Sequence, residues 1–145
     1  MKRFMGYDAC CTDPNVSGPV ELAVIERGRT VFGMRVIVGM PEQPTPSFAA
    51  TLQTLAINPY WNVPESILED EIAPALARDP GYLARNNMER TDNGRVRQRP
   101  GADNALGRFK FLFPNGDDIY LHDTPAKSLF SRTRRDFSHG CIRLE

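Results

Sequence analysis

Several features that would mark a function class are missing from this sequence. It has no excess of either charge, because 18 Lys and Arg balance 18 Asp and Glu over 145 residues. A general nucleic-acid-binding protein normally shows a basic excess or stripe, so no nucleic-acid partner is expected. No apolar run approaches the ~20 residues that a membrane-spanning helix requires, so no membrane span is expected. The basic start Met1-Lys2-Arg3 has no apolar stretch behind it, and no signal peptide is visible.

Cysteine and histidine are both scarce. The three cysteines are an odd, low number, and Cys10 and Cys11 are adjacent, a spacing at which cysteines rarely bond each other. A disulfide scaffold is therefore not expected. The third cysteine, Cys141, stands alone, and the two histidines are His122 and His139. The candidates for a nucleophile and a base thus lie close together near the C-terminal end of the sequence.

Proline and glycine are plentiful, with 12 and 11 residues, which is more than average usage. This composition disfavours a helical bundle and favours a chain rich in turns and strands. Two β-branched runs at 20–26 and 30–38, joined by the polar stretch 27–29, predict a hairpin. The prolines within 39–47 exclude a central strand there.

The rest of the chain predicts a mostly β (α+β) domain at 20–145, behind an unstructured leader at 1–19. A helix-plus-hairpin insertion occupies about 60–103, and it is too short for a robust core of its own. The further predicted elements are a strand at 48–57, short helices within 65–85 that Pro74 and Pro80 divide, a two-residue hairpin at Asn93-Gly94 between 88–91 and 96–98, a hairpin of 108–113 with 118–122, and a short helix at 126–130.

The residues around Cys141 suggest nucleophilic chemistry. A cysteine attacks as its thiolate, and at neutral pH it needs a neighbouring base, which a histidine can supply. Gly140 lets backbone N–H groups converge as an oxyanion hole requires, and Arg143 adds a fixed positive charge. Two other interpretations stay open for the residues alone. Cys141 can be a small buried hydrophobe, and His122, His139 and Cys141 can be zinc ligands, although no Cys-x-x-Cys pair supports a metal.

The pattern of His122, a spacer of 15 residues and Ser138-His139-Gly140-Cys141-Ile142-Arg143 resembles the signature of the L,D-transpeptidases with a YkuD-type catalytic domain. The resemblance extends from about residue 21 to residue 145. Within it, six further stretches are similar to the large capped subgroup of Gram-negative periplasms, namely 34–39, 44–46, 58–64, 78–82, 100–107 and 110–115.

The resemblance implies a YkuD-like β-sandwich whose cap is the insertion at about 60–103. Members of the subgroup begin with an export segment and further domains, and they continue well past the cysteine motif. The resemblance therefore implies that this chain is a partial catalytic domain lacking its C-terminal part, and that the parent enzyme works in the periplasm or cell envelope.

The implied activity is peptidoglycan L,D-transpeptidation. Cys141 would form a thioester with the L-centre of diaminopimelate in a tetrapeptide stem and release D-alanine, and His122 would be the general base. The acceptor would be the amine of another stem. Carbapenem β-lactams would acylate Cys141. The thioester carries the acyl group, so no metal or organic cofactor is implied.

The same resemblance gives roles to the remaining site residues. Ser138 and His139 would shape the loop that holds the nucleophile, and backbone N–H groups of His139, Gly140 and Cys141 would form the oxyanion hole. Arg143 would orient that loop or bind a substrate carboxylate. Further candidates are Tyr120 for orienting the site and Trp61 in the cap over the substrate groove.

Two other functions stay open beside transpeptidation. An inactive remnant would at most bind peptidoglycan peptides. A cysteine peptidase or L,D-carboxypeptidase would use the same nucleophile but take water as acceptor.

Overall fold

The computed structural model describes residues 20–145, and the leader predicted at 1–19, with Cys10 and Cys11, lies outside the described residues. The described chain is mostly β with a short helical region, as predicted. Its strands are β1 Glu21–Glu26, β2 Arg29–Gly39, β3 Thr54–Ile57, β4 Trp61–Asn62, β5 Met88–Arg90, β6 Val96–Gln98, β7 Phe109–Leu112, β8 Leu121–His122, β9 Asp136–Ser138 and β10 Ile142–Leu144. Its helices are α1 Glu65–Ile67, a π-helical turn Leu68–Ile72, α2 Ala73–Arg78, α3 Tyr82–Arg85 and a 3₁₀ helix Lys127–Ser131. Within residues 20–145, no helix is long and apolar enough to cross a membrane.

Strands β1 and β2 form the predicted hairpin, paired from Glu21↔Arg35 to Glu26↔Arg29. Arg27 and Gly28 make the turn, with positive φ of 52° and 77°. Positive φ at both central residues is the turn geometry that fits the twist of paired strands. The hairpin prediction is therefore confirmed, and β2 runs on beyond β1 into the interior.

The main sheet has the order β1-β2-β10-β8-β7-β3, and β9 lies beside the end of β2. Strand β10 is antiparallel to β2 but parallel to β8, so the sheet is mixed. The apolar core here is formed by Val36, Val38 and Ile142. The strand that follows Cys141 thus lies in the middle of the sheet, between β2 and β8.

A second, three-stranded sheet of order β4-β6-β5 lies within the insertion. Its own core consists of Val63, Ile72 and Val96, against which side chains of the helical segments pack. The sequence predicted no robust core for the insertion by itself, yet the insertion has a small apolar centre separate from that of the main sheet.

The strand predicted at 48–57 is too long, because only Thr54–Ile57 is a strand. It pairs with β7 over its whole length, and β7 ends at Leu112, just before Phe113 and Pro114. Residues 48–53 therefore have no strand to pair with, apart from the Gln53 N–H, which donates to the Leu112 carbonyl at 2.9 Å.

The helices differ from expectation at Pro74. It lies in the first turn of α2, as predicted, but the chain stays helical from Glu65 to Arg78. The π-helical turn just before Pro74 is wider than an α turn, which leaves room for the proline ring and its missing N–H. Pro80 follows the end of α2 and precedes α3, so it separates two helices as predicted.

The remaining two hairpins form, with altered turns. Strands β5 and β6 pair from Met88↔Gln98 to Arg90↔Val96, so residues 91–95 connect them instead of a two-residue turn. Strand β8 is only Leu121–His122, so 118–120 is not a strand. The predicted helix at 126–130 is the 3₁₀ helix.

Candidate active site

An open cavity of about 1110 Å³ lies between the main sheet, the proline-rich loop after β2 and the insertion. The structure brings every site residue predicted from the sequence to its wall. These are Trp61, Tyr120, His122, Ser138, His139, Gly140, Cys141 and Arg143.

The loop of residues 138–141, called the cysteine loop below, is closed by its own hydrogen bonds. Ser138 Oγ accepts from the Gly140 N–H at 3.2 Å and donates to the Cys141 carbonyl at 2.5 Å. Gly140 has a φ of +104°, which an L side chain rarely adopts, and a Cβ there would lie 3.0 Å from Ile119 Cδ1. A glycine at this position is therefore what allows the tight turn before Cys141.

Three cationic or titratable side chains form a row across neighbouring strands. Lys110 of β7 is opposite His122 of β8, and His122 is opposite Arg143 of β10. Directly opposed residues of a sheet point to the same face, so the imidazole lies between a lysine and an arginine. This row forms one wall of the cavity.

His122 is buried, with 5% of its surface exposed. Its Nδ1 lies 2.5 Å from the Asp123 carbonyl, which can only accept, so Nδ1 carries the proton and Nε2 has the free lone pair. Burial lowers the pKa of His122 to about 4, and the charges of Arg143 and Lys110 act in the same direction, although the Asp123 carbonyl opposes them. The imidazole is therefore neutral at pH 7 and can accept a proton at Nε2.

Cys141 carries a free thiol. Burial raises its pKa, while the backbone N–H and hydroxyl of Tyr120, followed by Lys110 and Arg143, favour the thiolate. The resting group is a thiol whose Sγ donates to the Asp118 carbonyl at 3.9 Å. Within residues 20–145, Sγ and His122 form no hydrogen bond with each other. Cys141 and His122 are therefore both neutral at rest. The proton passes from the sulfur to the imidazole only when the sulfur attacks.

Tyr120 joins the two parts of this pair. Its ring centroid is 5.6 Å from that of His122, and Lys110 Nζ lies 3.7 Å from the Tyr120 centroid. Burial and the nearby Cys141 raise the pKa of the Tyr120 hydroxyl, so it stays protonated and remains a donor toward the sulfur. Tyr120 thus lies against both His122 and Lys110, near the thiol.

Arg143 has an unused donor. Within the described residues, its Nε is buried without a hydrogen-bond partner. A buried donor without a partner costs free energy, and the side chain lines the cavity. Arg143 therefore brings a positive charge to the cavity wall while its Nε stays shielded from solvent.

His139 and Trp61 link the cavity to the insertion. His139 Nε2 lies 3.2 Å from Oε1 of Glu71 in the π-helical turn. Trp61 packs against the core of the insertion while lining the cavity. The two residues lie on the insertion side of the cavity, so His139 is directed toward Glu71.

Three further groups lie at the site that no sequence pattern indicated, namely Lys110, Glu71 and the Asp118 carbonyl. Lys110 needs the register of β7 and β8 to be found, and Glu71 is one of several acidic residues at helical spacing. Asp118 has a positive φ of 53° within a turn that the Asn115 side chain holds, which no sequence pattern indicated.

Over residues 20–145, no three or more His, Cys, Asp and Glu side chains cluster in a way that could hold a metal ion. The histidines diverge instead, His122 toward the Asp123 carbonyl and His139 toward Glu71.

Some solved structures resemble this fold at low sequence identity. The carbamoyl enzyme of Ldtfm with avibactam aligns with 86% of this chain and 36% of its own, at 12% identity and a TM-score of 0.49. L,D-transpeptidase 3 from Mycobacterium tuberculosis aligns with 83% of this chain and 38% of its own, at 17% identity and a TM-score of 0.43. The latter enzyme with a faropenem-derived adduct gives the same identity and TM-score.

Sequence comparison is more specific. A Haemophilus influenzae protein with the provisional name L,D-transpeptidase is 36% identical over an alignment 138 residues long, and the alignment covers 81% of this chain. The aligned part is 28% of that relative, so the chain spans less than a third of its length. The profile of the YkuD family, the L,D-transpeptidase catalytic domain, matches residues 15–145. The chain therefore belongs to the YkuD family of L,D-transpeptidase catalytic domains.

Proposed function

We propose that this chain carries the acyl-transfer chemistry of a peptidoglycan L,D-transpeptidase, with Cys141 as nucleophile and His122 as general base. One observation supports this above all. A neutral thiol and a neutral imidazole, whose free Nε2 can take a proton, line the same cavity beside two cations. Membership of the family supplies the reaction class.

The first half of the reaction forms a thioester. Sγ of Cys141 attacks the amide carbonyl at the L-centre of diaminopimelate in a tetrapeptide stem while His122 takes the thiol proton. The C–N bond then breaks, and the proton passes from His122 to the departing amine of D-alanine. The products are a thioester on Cys141 and free D-alanine.

The second half transfers the acyl group. The amine of a second diaminopimelate attacks the thioester and gives a proton to His122, and the C–S bond breaks. The sulfur leaves as thiolate and regains the proton from His122. The product is an amide cross-link between two stems, and no cofactor takes part.

The resemblance implies an oxyanion hole formed by the N–H groups of His139, Gly140 and Cys141. The Gly140 N–H donates to Ser138 Oγ, so it is already engaged within the cysteine loop. The Cys141 N–H forms no hydrogen bond with any residue between 20 and 145. We assign this N–H to the oxyanion, while Ser138 keeps the loop closed from within.

The charges of the cavity suit a substrate with both carboxylate and ammonium groups. The positively charged side chain of Arg143 lines the cavity and can attract a carboxylate, and Glu71 and Asp118 line other parts of it. Trp61 would form the wall on the side of the insertion, Tyr120 would orient the sulfur and His139 would hold the cysteine loop to the insertion. The parent enzyme would act in the periplasm or cell envelope.

Acylation by a carbapenem tests the nucleophile. The strained β-lactam amide should add covalently to Cys141, which intact-protein mass spectrometry detects as one adduct. Cys141→Ala should give no adduct, and His122→Gln should stay folded but acylate about 10²-fold more slowly or worse. A folded wild-type chain that forms no adduct would overturn the proposal, and so would normal acylation of Cys141→Ala.

Product analysis with tetrapeptide stems distinguishes the possible acceptors. Transpeptidation predicts a cross-linked dimer and one released D-alanine for each cross-link. A tripeptide as sole product would instead establish an L,D-carboxypeptidase, with water as acceptor. Stem binding without turnover would identify an inactive remnant.

A further inference from the structure

Thr45 lies behind the cysteine loop, away from the cavity, and is only 2% exposed. Its Oγ1 accepts a hydrogen bond from the Gly39 N–H at 2.9 Å. The same hydroxyl donates to the Gly140 carbonyl at 2.7 Å. Thr45 therefore connects the end of β2 to the residue just before the nucleophile.

The directions of these hydrogen bonds follow from chemistry. The Gly39 N–H can only donate, so the single hydroxyl proton of Thr45 is free for the Gly140 carbonyl. The Gly140–Cys141 peptide is planar and trans, so its C=O and N–H point in opposite directions. With the carbonyl held on the buried side by Thr45, the Cys141 N–H is directed to the other side of the loop.

That other side is the cavity. Gly140 and Cys141 line it, as do Pro44 and Pro46 on either side of Thr45, whereas Thr45 itself does not. The Cys141 N–H, which has no protein partner in the described part of the chain, thus faces the space where a substrate carbonyl would lie.

Thr45 is itself held firmly. The two flanking prolines have fixed φ angles, which limits the freedom of the backbone at Thr45. The proline-rich loop after β2, which contains Thr45, also packs closely on Gly39, where an added Cβ would lie 2.6 Å from the Thr45 nitrogen. The backbone at Thr45 therefore holds the hydroxyl in a fixed place, and the hydroxyl in turn fixes the orientation of the Gly140–Cys141 peptide.

We propose that Thr45 is a positioning residue for acyl transfer, because its hydroxyl orients the Gly140–Cys141 peptide so that the Cys141 N–H can stabilise the oxyanion. The inference rests on the proposed function only in requiring that Cys141 accepts an acyl group. Thr45 touches neither the substrate nor the sulfur, and it acts through the peptide alone.

Two reactions of the same thiol separate this role from a general structural one. With p-nitrophenyl acetate, Sγ forms a bond to the acyl carbon, the thiol proton passes to His122, and p-nitrophenolate leaves through a tetrahedral oxyanion. With iodoacetamide, Sγ displaces iodide from a saturated carbon and no oxyanion forms. Only the first reaction should depend on Thr45, and Cys141→Ala gives the background of both.

Thr45→Val keeps the shape of the side chain but removes its hydroxyl, and Thr45→Ser keeps the hydroxyl. In Thr45→Val, acylation should slow by about 10- to 10²-fold, since one oxyanion donor is worth roughly 10²–10³-fold and here it is misdirected rather than removed. Alkylation should stay within about 2-fold of wild type. Thr45→Ser should acylate within about 3-fold of wild type.

Equal acylation by Thr45→Val and wild type would overturn the proposal. A parallel loss of acylation and alkylation would do so too, because it would mean that the whole loop is disturbed. If Thr45→Val fails to fold, Thr45→Ser still decides, since a selective loss of acylation in that variant contradicts a role for the hydroxyl. A failure of the proposed function would show in a different experiment: the wild-type protein would react with p-nitrophenyl acetate but form no product from stems.

Discussion

At the scale of single residues, the charge of Lys110 has an effect beyond its own contacts. Lys110 of β7 lies directly opposite His122 of the neighbouring strand β8 and contributes to the lowered pKa of that imidazole. Burial in turn lowers the pKa of Lys110 itself, although Cys141 and Asp118 counteract it. His122 thus owes its neutral state to burial and to the cations on both sides of it.

Replacing Lys110 by Met should therefore raise the pKa of His122, because one of the two neighbouring positive charges is removed while the apolar stem is kept. An NMR pH titration of the imidazole Cε1–H signals measures this directly. The chain has only two histidines, and a His139→Gln variant assigns their signals. Lys110→Arg is the matched control and should leave the pKa of His122 low. An unchanged His122 pKa in Lys110→Met would contradict the effect of the charge row.

Residue type explains which parts of the site the sequence could indicate. Cys141, His122 and Arg143 have chemistry that belongs to their side chains, and their spacing resembles a known signature. The Asp118 carbonyl, which accepts from the thiol, is a backbone group of a kind that every residue has. Only the folded path of the chain therefore selects it.

At the scale of secondary structure, β2 contains two glycines with opposite surroundings. A Cβ on Gly39 would lie 2.2 Å from the Gln43 carbonyl oxygen, whereas one on Gly33 would meet only the Leu22 carbonyl oxygen at 3.7 Å. Gly39→Ala should therefore push the proline-rich loop after β2 away from the strand and lower the free energy of unfolding by about 1–3 kcal/mol. Gly33→Ala should stay within about 0.5 kcal/mol of wild type. Urea unfolding of the two variants makes the comparison, and equal stabilities would mean that the loop moves freely.

Arg135, just before β9, connects several elements. It is 6% exposed and donates from Nε to the Val36 carbonyl at 3.1 Å and from its terminal nitrogens to the carbonyls of Val20, at 2.9 Å, and Arg132, at 3.2 Å. Arg135→Met keeps much of the apolar stem but leaves buried carbonyls with fewer partners, so it should cost about 2–4 kcal/mol.

The neighbouring Arg134 provides the control for Arg135. Its side chain is 76% exposed and pairs with Asp136 at the surface, a kind of contact worth about 0–1 kcal/mol. Arg134→Met should therefore change the free energy of unfolding little in the same denaturation experiment. Similar losses in both variants would rule out the buried hydrogen bonds as the cause.

Local signals predicted the elements that local chemistry determines. The β1–β2 hairpin follows from two β-branched runs and a turn that needs positive φ at Gly28. The start of β3 at Thr54 has no such local signal, because a strand extends only as far as its partner, and β7 lies far along the sequence. The continuous helix through Pro74 depends on the preceding π-helical turn, which the apolar spacing did not indicate.

At the scale of the whole molecule, stability should depend on His122. Its pKa is about 4 in the folded protein, whereas an imidazole in the unfolded chain titrates near 6.5. Between these values the unfolded chain binds a proton that the folded chain does not. The free energy of unfolding should therefore fall by up to about 3 kcal/mol as pH drops from about 6.5 to about 4. Urea unfolding at neutral and mildly acidic pH measures the loss.

A His122→Gln variant isolates this contribution, since it cannot titrate in that range. Its loss of stability over the same interval should be smaller than that of wild type. Carboxylates such as Glu89, whose pKa is lowered by the side chains of Arg99 and Arg97, lose their contribution mainly at lower pH. An identical pH dependence in the two proteins would exclude His122 as the titrating group.

The order of the strands was beyond the reach of the sequence. Apolar patterns predicted most strands but carry no information on which of them become neighbours. The row of Lys110, His122 and Arg143 exists only because β10 pairs in parallel with β8, which itself pairs with β7. Family resemblance, rather than periodicity, was what connected His122 with Cys141.

The central position of β10 also determines when the site can arise during folding. β10 must pair with Ile37 on one side and with His122 on the other, and such distant pairings form slowly because chain entropy is lost before contacts compensate it. The cysteine loop leads directly into β10, so we expect the thiol to gain its base and its oxyanion donor only when β10 pairs. Until then, Cys141 should react like a thiol in a free peptide. The rate at which a refolding sample becomes able to accept an acyl group should therefore report the rate at which β10 pairs with its two neighbouring strands.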